Sequence, residues 1–432
     1  MLSGIFILPA NHQLDNHRRR HSLNPFKDML LDIIQIFFLV LFVYTGFITL
    51  YFFITAIAGK LRNQPVYAPN PSKKKIAILI PAYKEDDVIV DTARKARGHD
   101  YPSAFFDIFI AADQLKSSTL DLLREIPVNI VEVQFETGSK ARSLNSLLNH
   151  IPENIYDIAI ILDADNIMVP GCLEMINDAF HKGFRGVQVH RTAKNHNSGI
   201  AVLDAISEEV NNHLFRKSQR ALGFSSNTIG SGMAFEFSKL KDIYNKPGIL
   251  GNPACDREVD YEIMKSNITI EYIDTAYVLD EKVGMLKVFE RQRTRWLESQ
   301  LIHLKMFFSR KEAVQHKTKD YWNKLFTNLL PPRILLFSVH ILILIIFLIG
   351  KVTGLFILKP PFYWWLILLF VYILTLFISI PSHLFSLRSV KAIVHIPGLI
   401  VSMIRAIFKM KVNRKEFLHT PKSFVRESTP KN

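Results

Sequence analysis

Apolar residues fall along this chain in two rhythms. The first is a set of short, nearly continuous runs: "IAILIPAY" (76–83), "FDIFIAAD" (106–113), "VNIVEVQ" (128–134) and "YDIAIILDAD" (156–165). Runs of this length suit strands of a parallel sheet buried on both faces. Between them, Asp86 to Arg97, Ser117 to Glu125 and Lys140 to His150 mix apolar and polar positions as amphipathic helices do. The alternation predicts an α/β domain with helices on both faces of the sheet. A further segment, 284–308, carries Leu286, Phe289, Trp296, Leu301 and Leu304 at helical spacing and predicts a helix at a membrane surface.

The second rhythm is long. Met29 to Ala58 is almost wholly apolar, enough to cross ~30 Å of hydrocarbon as a helix. It starts too late and runs too long for a signal peptide. Two more predicted spans cover 334–350 and 362–385, the latter opening with interfacial aromatics Tyr363, Trp364 and Trp365. A fourth stretch, 393–407, is broken by Pro397 and carries Arg405, so an interfacial helix is expected there. The predicted layout is a tail (1–28), a span (29–58), a soluble domain (62–325), two spans (334–350 and 362–385), and an interfacial helix with basic tail (393–432). Two spans after the soluble domain return the tail to its side, which positive-inside logic makes the cytosol. Arg18, Arg19 and Arg20 oppose this order, since they would lie outside.

Charge sharpens the picture. The 432 residues carry a formal net charge of +14 while 49% are hydrophobic. Basic residues cluster beside the apolar stretches, as juxtamembrane charge does, so membrane lipids rather than nucleic acid are the expected partner. Only Cys172 and Cys255 occur, which excludes a disulfide framework and a cysteine metal site.

The chemistry gathers where predicted strands end. In α/β sheets ligands bind beyond the carboxyl ends of the strands. That rule brings together Pro81, Tyr83 and Glu85 after the first run, Asp113 at the end of the second, and Asp163 and Asp165 after the fourth. Asp163-Ala164-Asp165-Asn166 is good turn chemistry. It is equally a site for a hard divalent cation, which takes carboxylates together with substrate phosphates. Lys140 and Arg142, opening the helix after the third strand, offer positive charge to the same edge. No Walker loop, Gly-x-Gly-x-x-Gly, His-Glu-x-x-His or nucleophile-elbow serine is present. "GSGMAF" (230–235) reads as a plain loop or as backbone close to an acceptor.

Taken in order, "IPAYKEDD", "AADQLKSST", "GSKARSLN", "LDADN" and "QRTRW" (292–296) resemble the motifs of the family 2 glycosyltransferases, in their membrane-anchored, cellulose-synthase-like branch. The resemblance covers about 75–310 and extends to the Thr-Pro-Lys of "EFLHTPK" near the C-terminus. It implies a Rossmann-like GT-A domain with flanking transmembrane helices. It further implies an inverting transfer from a UDP- or GDP-sugar to a growing β-linked polysaccharide, or to a lipid-linked acceptor. Nucleotide-sugar binding would fall to Pro81, Tyr83, Glu85, Asp113, Lys140 and Asp163. Mg²⁺ or Mn²⁺ would be held by Asp165 and Asp163. Acceptor and diphosphate contacts would fall to Gln292, Arg293, Arg295 and Trp296. The family's Thr-Glu-Asp base motif is not intact; "EVDYEIM" places the base at Asp260, with Asp256 in "CDREVD" the alternative. That departure leaves a catalytically silent scaffold as a third reading. The expected location is the plasma (inner) membrane with the catalytic domain cytosolic, alongside an export or assembly partner.

Overall fold

The computed structural model describes residues 25–63, 65–136, 138–252, 255–309, 318–353 and 359–411. The Arg18–Arg20 cluster, Arg414, Lys415 and the Thr-Pro-Lys ending lie outside the described residues.

Eight strands form one sheet: β1 (Ile76–Tyr83), β2 (Phe106–Asp113), β3 (Asn129–Val133), β4 (Ile158–Ile161), β5 (Ile167–Met168), β6 (Gly186–Ala193), β7 (Met233–Glu236) and β8 (Ile270–Asp280), in the order β3-β2-β1-β4-β7-β6-β8-β5. The first four pair in parallel. They are the four runs expected from the sequence, with β4 ending at Ile161, four residues before Asp165. The rest of the sheet is mixed: β7 is antiparallel to both β4 and β6, β6 is parallel to β8, and β5 is antiparallel to β8. The expectation of a parallel sheet therefore holds for half of it.

Helices Ile89–Arg97 and Cys172–His181 cover one face, where Ile78, Ile80, Ile108 and Ile160 are buried. Helices Lys140–His150, Phe237–Tyr244 and Cys255–Lys265 cover the other, over Leu79, Phe109 and Ile161. Alternate residues of β1 thus serve two cores, which is why its run is apolar throughout.

Among the described residues, four helical segments are long and apolar enough to cross a membrane: Met29–Leu61, Arg333–Thr353, Phe362–Ser379 and Leu387–Phe408. The third stops before Pro381, short of the expected end at 385. The fourth is the stretch expected to be interfacial. It is broken into Leu387–Ala392, a 3₁₀ turn Ile393–His395, and Ile396–Phe408. Among the first three, Trp365 is fully buried with Phe38, Ile343 and neighbouring Phe42 and Phe347.

These helices rest on the α/β domain through helix Gly199–Asn212 and the π-helical turn His213–Lys217 that follows it. Val210 and Leu214 pack with Ile48, Phe52 and Ala56 of the first apolar helix, and with Leu336 and Tyr372. Polar contacts fix the junction: His213 Nε2 lies 2.8 Å from the Ala56 carbonyl, and Arg62 pairs with Glu271 at 2.7 Å.

Candidate active site

Parallel register aligns the ends of the strands. Tyr83 sits beside Asp113, and Asp113 beside Val133. Leu79 sits beside Ile161, so Asp163 leaves the sheet at the same edge. Asp113 is fully buried. Its Oδ1 accepts the Phe135 N–H at 3.4 Å, while Oδ2 has no partner. Burial pushes its carboxyl above the ordinary range, against the smaller pull of the Phe135 N–H and Lys84. Tyr83 packs over Gly138, where a Cβ would sit 2.5 Å from the ring, so only glycine permits the contact. Pro81 is half-buried on β1, and the Glu85 carbonyl caps the turn into helix Ile89–Arg97 by accepting the Ile89 N–H.

Lys140 is the hub. Its Nζ donates to Asp163 Oδ1 at 2.7 Å and to the Gly230 carbonyl at 2.7 Å, and lies 3.4 Å from Asp256 Oδ1. Burial alone would lower its pKa, but Asp163 and Asp256 outweigh burial and hold the ammonium protonated above its usual range. Ser139 caps the helix that presents Lys140 by accepting the Arg142 N–H at 3.4 Å. Asp256 occupies the first turn of helix Cys255–Lys265, where the helix dipole favours a carboxylate. Gly230, at φ +84°, lets the chain pass beside it; a Cβ there would lie 2.4 Å from Asp256 Oδ2.

Arg295 joins the group electrostatically. Burial lowers its pKa while Asp163 and Asp256 pull the other way. Asp165 is buried. With its amide oriented to satisfy its neighbours, Asn166 accepts from Ser231 Oγ at 2.8 Å. It donates to Asp280 Oδ1 at 3.1 Å and to Asp165 Oδ1 at 3.2 Å. Among the described residues no three His, Cys, Asp or Glu side chains form a metal cluster. The donor set fits a cation held by one or two carboxylates with the remaining ligands from a diphosphate.

Asp260 and Arg293 are engaged by partners outside this group. Asp260, one turn along the helix from Asp256, is held by other partners: its Oδ2 accepts from Lys324 Nζ at 2.6 Å and its Oδ1 from the Thr228 N–H at 3.3 Å. Both members of that ion pair are buried. Arg293 pairs with Asp204 and lies over two rings, 4.0 Å from the Trp296 centroid and 4.5 Å from that of Phe289. Its charge is thus spent within the fold, and one face of Trp296 is occupied by a guanidinium. Gln292 keeps a buried Oε1 without a partner.

The sequence reading missed the residues supporting this edge from the mixed half of the sheet. Arg191 on β6 clamps Glu208 through two bonds of 3.1 Å, and Lys282 bridges Glu208 at 3.0 Å and Asp280 at 2.7 Å. Asp280 ends β8 as Asp113 ends β2, so the strand-end rule would have found it had β8 been recognised.

The model of a glycosyltransferase-like family 2 domain matches residues 71–299, more than half of the chain. The chain belongs to glycosyltransferase family 2. Its fold is similar to that of a mannosyltransferase from Pyrobaculum calidifontis solved with GDP-Man and Mn²⁺, with TM-score 0.52 and 14% identity over 88% of this chain and 98% of that one. A weaker likeness, TM-score 0.38 and 12% identity, links 76% of this chain to 55% of TarS from S. aureus. No curated protein sequence matches significantly. Family 2 membership makes the protein a glycosyltransferase with a GT-A domain, and the strand-end cluster lies inside the matched residues.

Proposed function

We propose that this family 2 enzyme is an inverting, cellulose-synthase-like glycosyltransferase that moves a sugar from a nucleoside diphosphate donor onto a membrane-borne glycan. The observation that carries the reading is the Lys140 bridge, which holds Asp163 and Asp256 about one ammonium apart at the edge where Asp113 is buried with a free acceptor. Asp113 Oδ2 accepts an N–H of the base. Asp163 positions the nucleotide and, with Asp165, holds Mg²⁺ or Mn²⁺, which when bound offsets charge on the leaving diphosphate. Arg295 adds a cation on the same side.

The base is Asp256 rather than Asp260. A general base must reach the acceptor hydroxyl as it attacks. Asp256 borders Gly230 and the Lys140 group, whereas Asp260 is committed to Lys324. Asp256 takes the hydroxyl proton, the acceptor oxygen bonds to the anomeric carbon, and the diphosphate departs from the opposite face. An α-linked donor therefore yields a β-glycoside.

The first reading of the acceptor is a growing β-linked polysaccharide. A second, single addition to a lipid-linked acceptor, is favoured by the bundle core, because Trp365 and its neighbours fill the space between the first three apolar helices. Purified protein incubated with a panel of UDP- and GDP-sugars tests both. Turnover of no donor removes the enzyme reading. Products that never exceed one added sugar favour the lipid-linked acceptor.

A further inference from the structure

The N-terminal end of helix Leu286–Ser309 forms a groove of 310 Å³ with helix Ile396–Phe408. That is the low end of the range for small-ligand sites. Leu286, Pro397 and Val401 give it apolar walls, and Lys287, Glu290 and Arg405 stand at its sides. Glu290 is paired with Lys409 at 2.5 Å. Lys287 and Arg405 are exposed and have no carboxylate partner among the described residues. Beyond the groove the same helix presents Ile404 and Phe408 outward, the latter 85% exposed.

An apolar slot with two uncompensated cations at its sides, next to exposed apolar side chains, matches a lipid with an anionic headgroup. We propose that the groove binds one anionic phospholipid of the bilayer, with its acyl chain along Leu286, Pro397 and Val401 and its phosphate between Lys287 and Arg405. The occupant is a resident lipid and not the sugar acceptor. At 3.6 residues per turn, Leu286, Lys287 and Glu290 centre on a face about 135° around the helix from Arg295. The bound lipid would pin one end of the helix that carries Arg295 to the membrane surface.

The test is lipid retention by the full-length protein in nanodiscs of phosphatidylcholine containing one-tenth phosphatidylglycerol, measured by mass spectrometry after transfer to detergent. Wild type should retain phosphatidylglycerol at several times its bulk fraction. The variant Lys287→Gln/Arg405→Gln should fall to the bulk fraction. Val401→Trp, which fills the slot and keeps both cations, should do the same, and serves alone should the double variant fail to fold. A control, Arg388→Gln/Lys391→Gln, removes two exposed cations from the neighbouring helix Leu387–Ala392, outside the groove. Equal loss in the control, or undiminished retention in Val401→Trp, would overturn the proposal by showing diffuse surface attraction. Because the readout is bound lipid, it stands apart from whether sugar transfer is detected.

Discussion

Asp256 and Asp260 sit one helical turn apart, and under the proposed mechanism their different neighbours give them different tasks. Asp256→Asn should lower transfer by ~10²–10⁴-fold and leave donor affinity nearly unchanged, as loss of a general base does. Asp260→Asn should act on the fold. It strands the buried Lys324 ammonium, and breaking such a pair costs about 3–5 kcal/mol. Thermal unfolding should show the drop, and Asp260→Asn with Lys324→Met should recover much of it. A stable, inactive Asp260→Asn protein would reverse the assignment. The sequence pattern favours Asp260, with Asp256 the alternative; what argues the other way is the Asp260 ion pair with Lys324, 64 positions further along the chain.

Asp113 makes a pH prediction. Its pKa is raised by burial, so the folded state holds a proton to higher pH than the unfolded chain. Stability linked to this group therefore falls as pH rises through the two values. Donor binding runs the other way, since the ionised carboxylate is the stronger acceptor for an N–H of the base. Affinity for a nucleoside diphosphate should hold above the raised pKa and weaken as pH falls through it, at a higher pH than an ordinary aspartate would set. Titration calorimetry across that range should show the weakening in wild type and lose it in Asp113→Asn. An identical profile in the variant removes Asp113 from base recognition.

At the scale of elements, legibility followed burial. β1, β2 and β4 are covered by helices on both faces and read as unbroken apolar runs; β3, more open, matched within a residue at each end. β5 has two residues and β7 four, too few for a periodic signal, and their pairing is fixed by partners far away in sequence. The loop before β7 was legible only as glycine-rich. Its function comes from contact: Gly230 gives its carbonyl to Lys140 and its missing Cβ to Asp256. Gly230→Ala must displace the Asp256 carboxylate and strain a backbone at φ +84°. A displacement near 1 Å is enough to cost about 10²-fold in rate. The expected result is a turnover loss of that size with donor affinity retained. Wild-type turnover in Gly230→Ala would mean that Asp256 does not need its present position.

For the whole molecule the open question is which segments cross the membrane. Composition allows the fourth apolar segment, Leu387–Phe408, to do so. Its contacts argue against it. Near its middle, His395 packs on Gly199, where a Cβ would lie 2.3 Å from the ring, and Gly199 opens a helix of the catalytic domain. At its end, Lys409 pairs with Glu290 at 2.5 Å, and the Lys411 N–H donates to Glu298 at 2.7 Å, both on helix Leu286–Ser309. The intervening helix Ile396–Phe408 has 13 residues, about 20 Å, against ~30 Å of hydrocarbon. We therefore propose that this segment, held at both places by one domain, lies along the surface on that domain's side. If the catalytic domain is cytosolic, as we propose, single cysteines at Glu153 and Lys411 should resist a membrane-impermeant thiol reagent applied to intact cells. One at Lys359, between the second and third apolar helices, should react. Cys172 and Cys255 are buried and leave little background. Labelling at Lys411 but not Glu153 would make the fourth segment a true span and would put Glu290 and Lys409 on opposite sides of the bilayer, which their contact forbids.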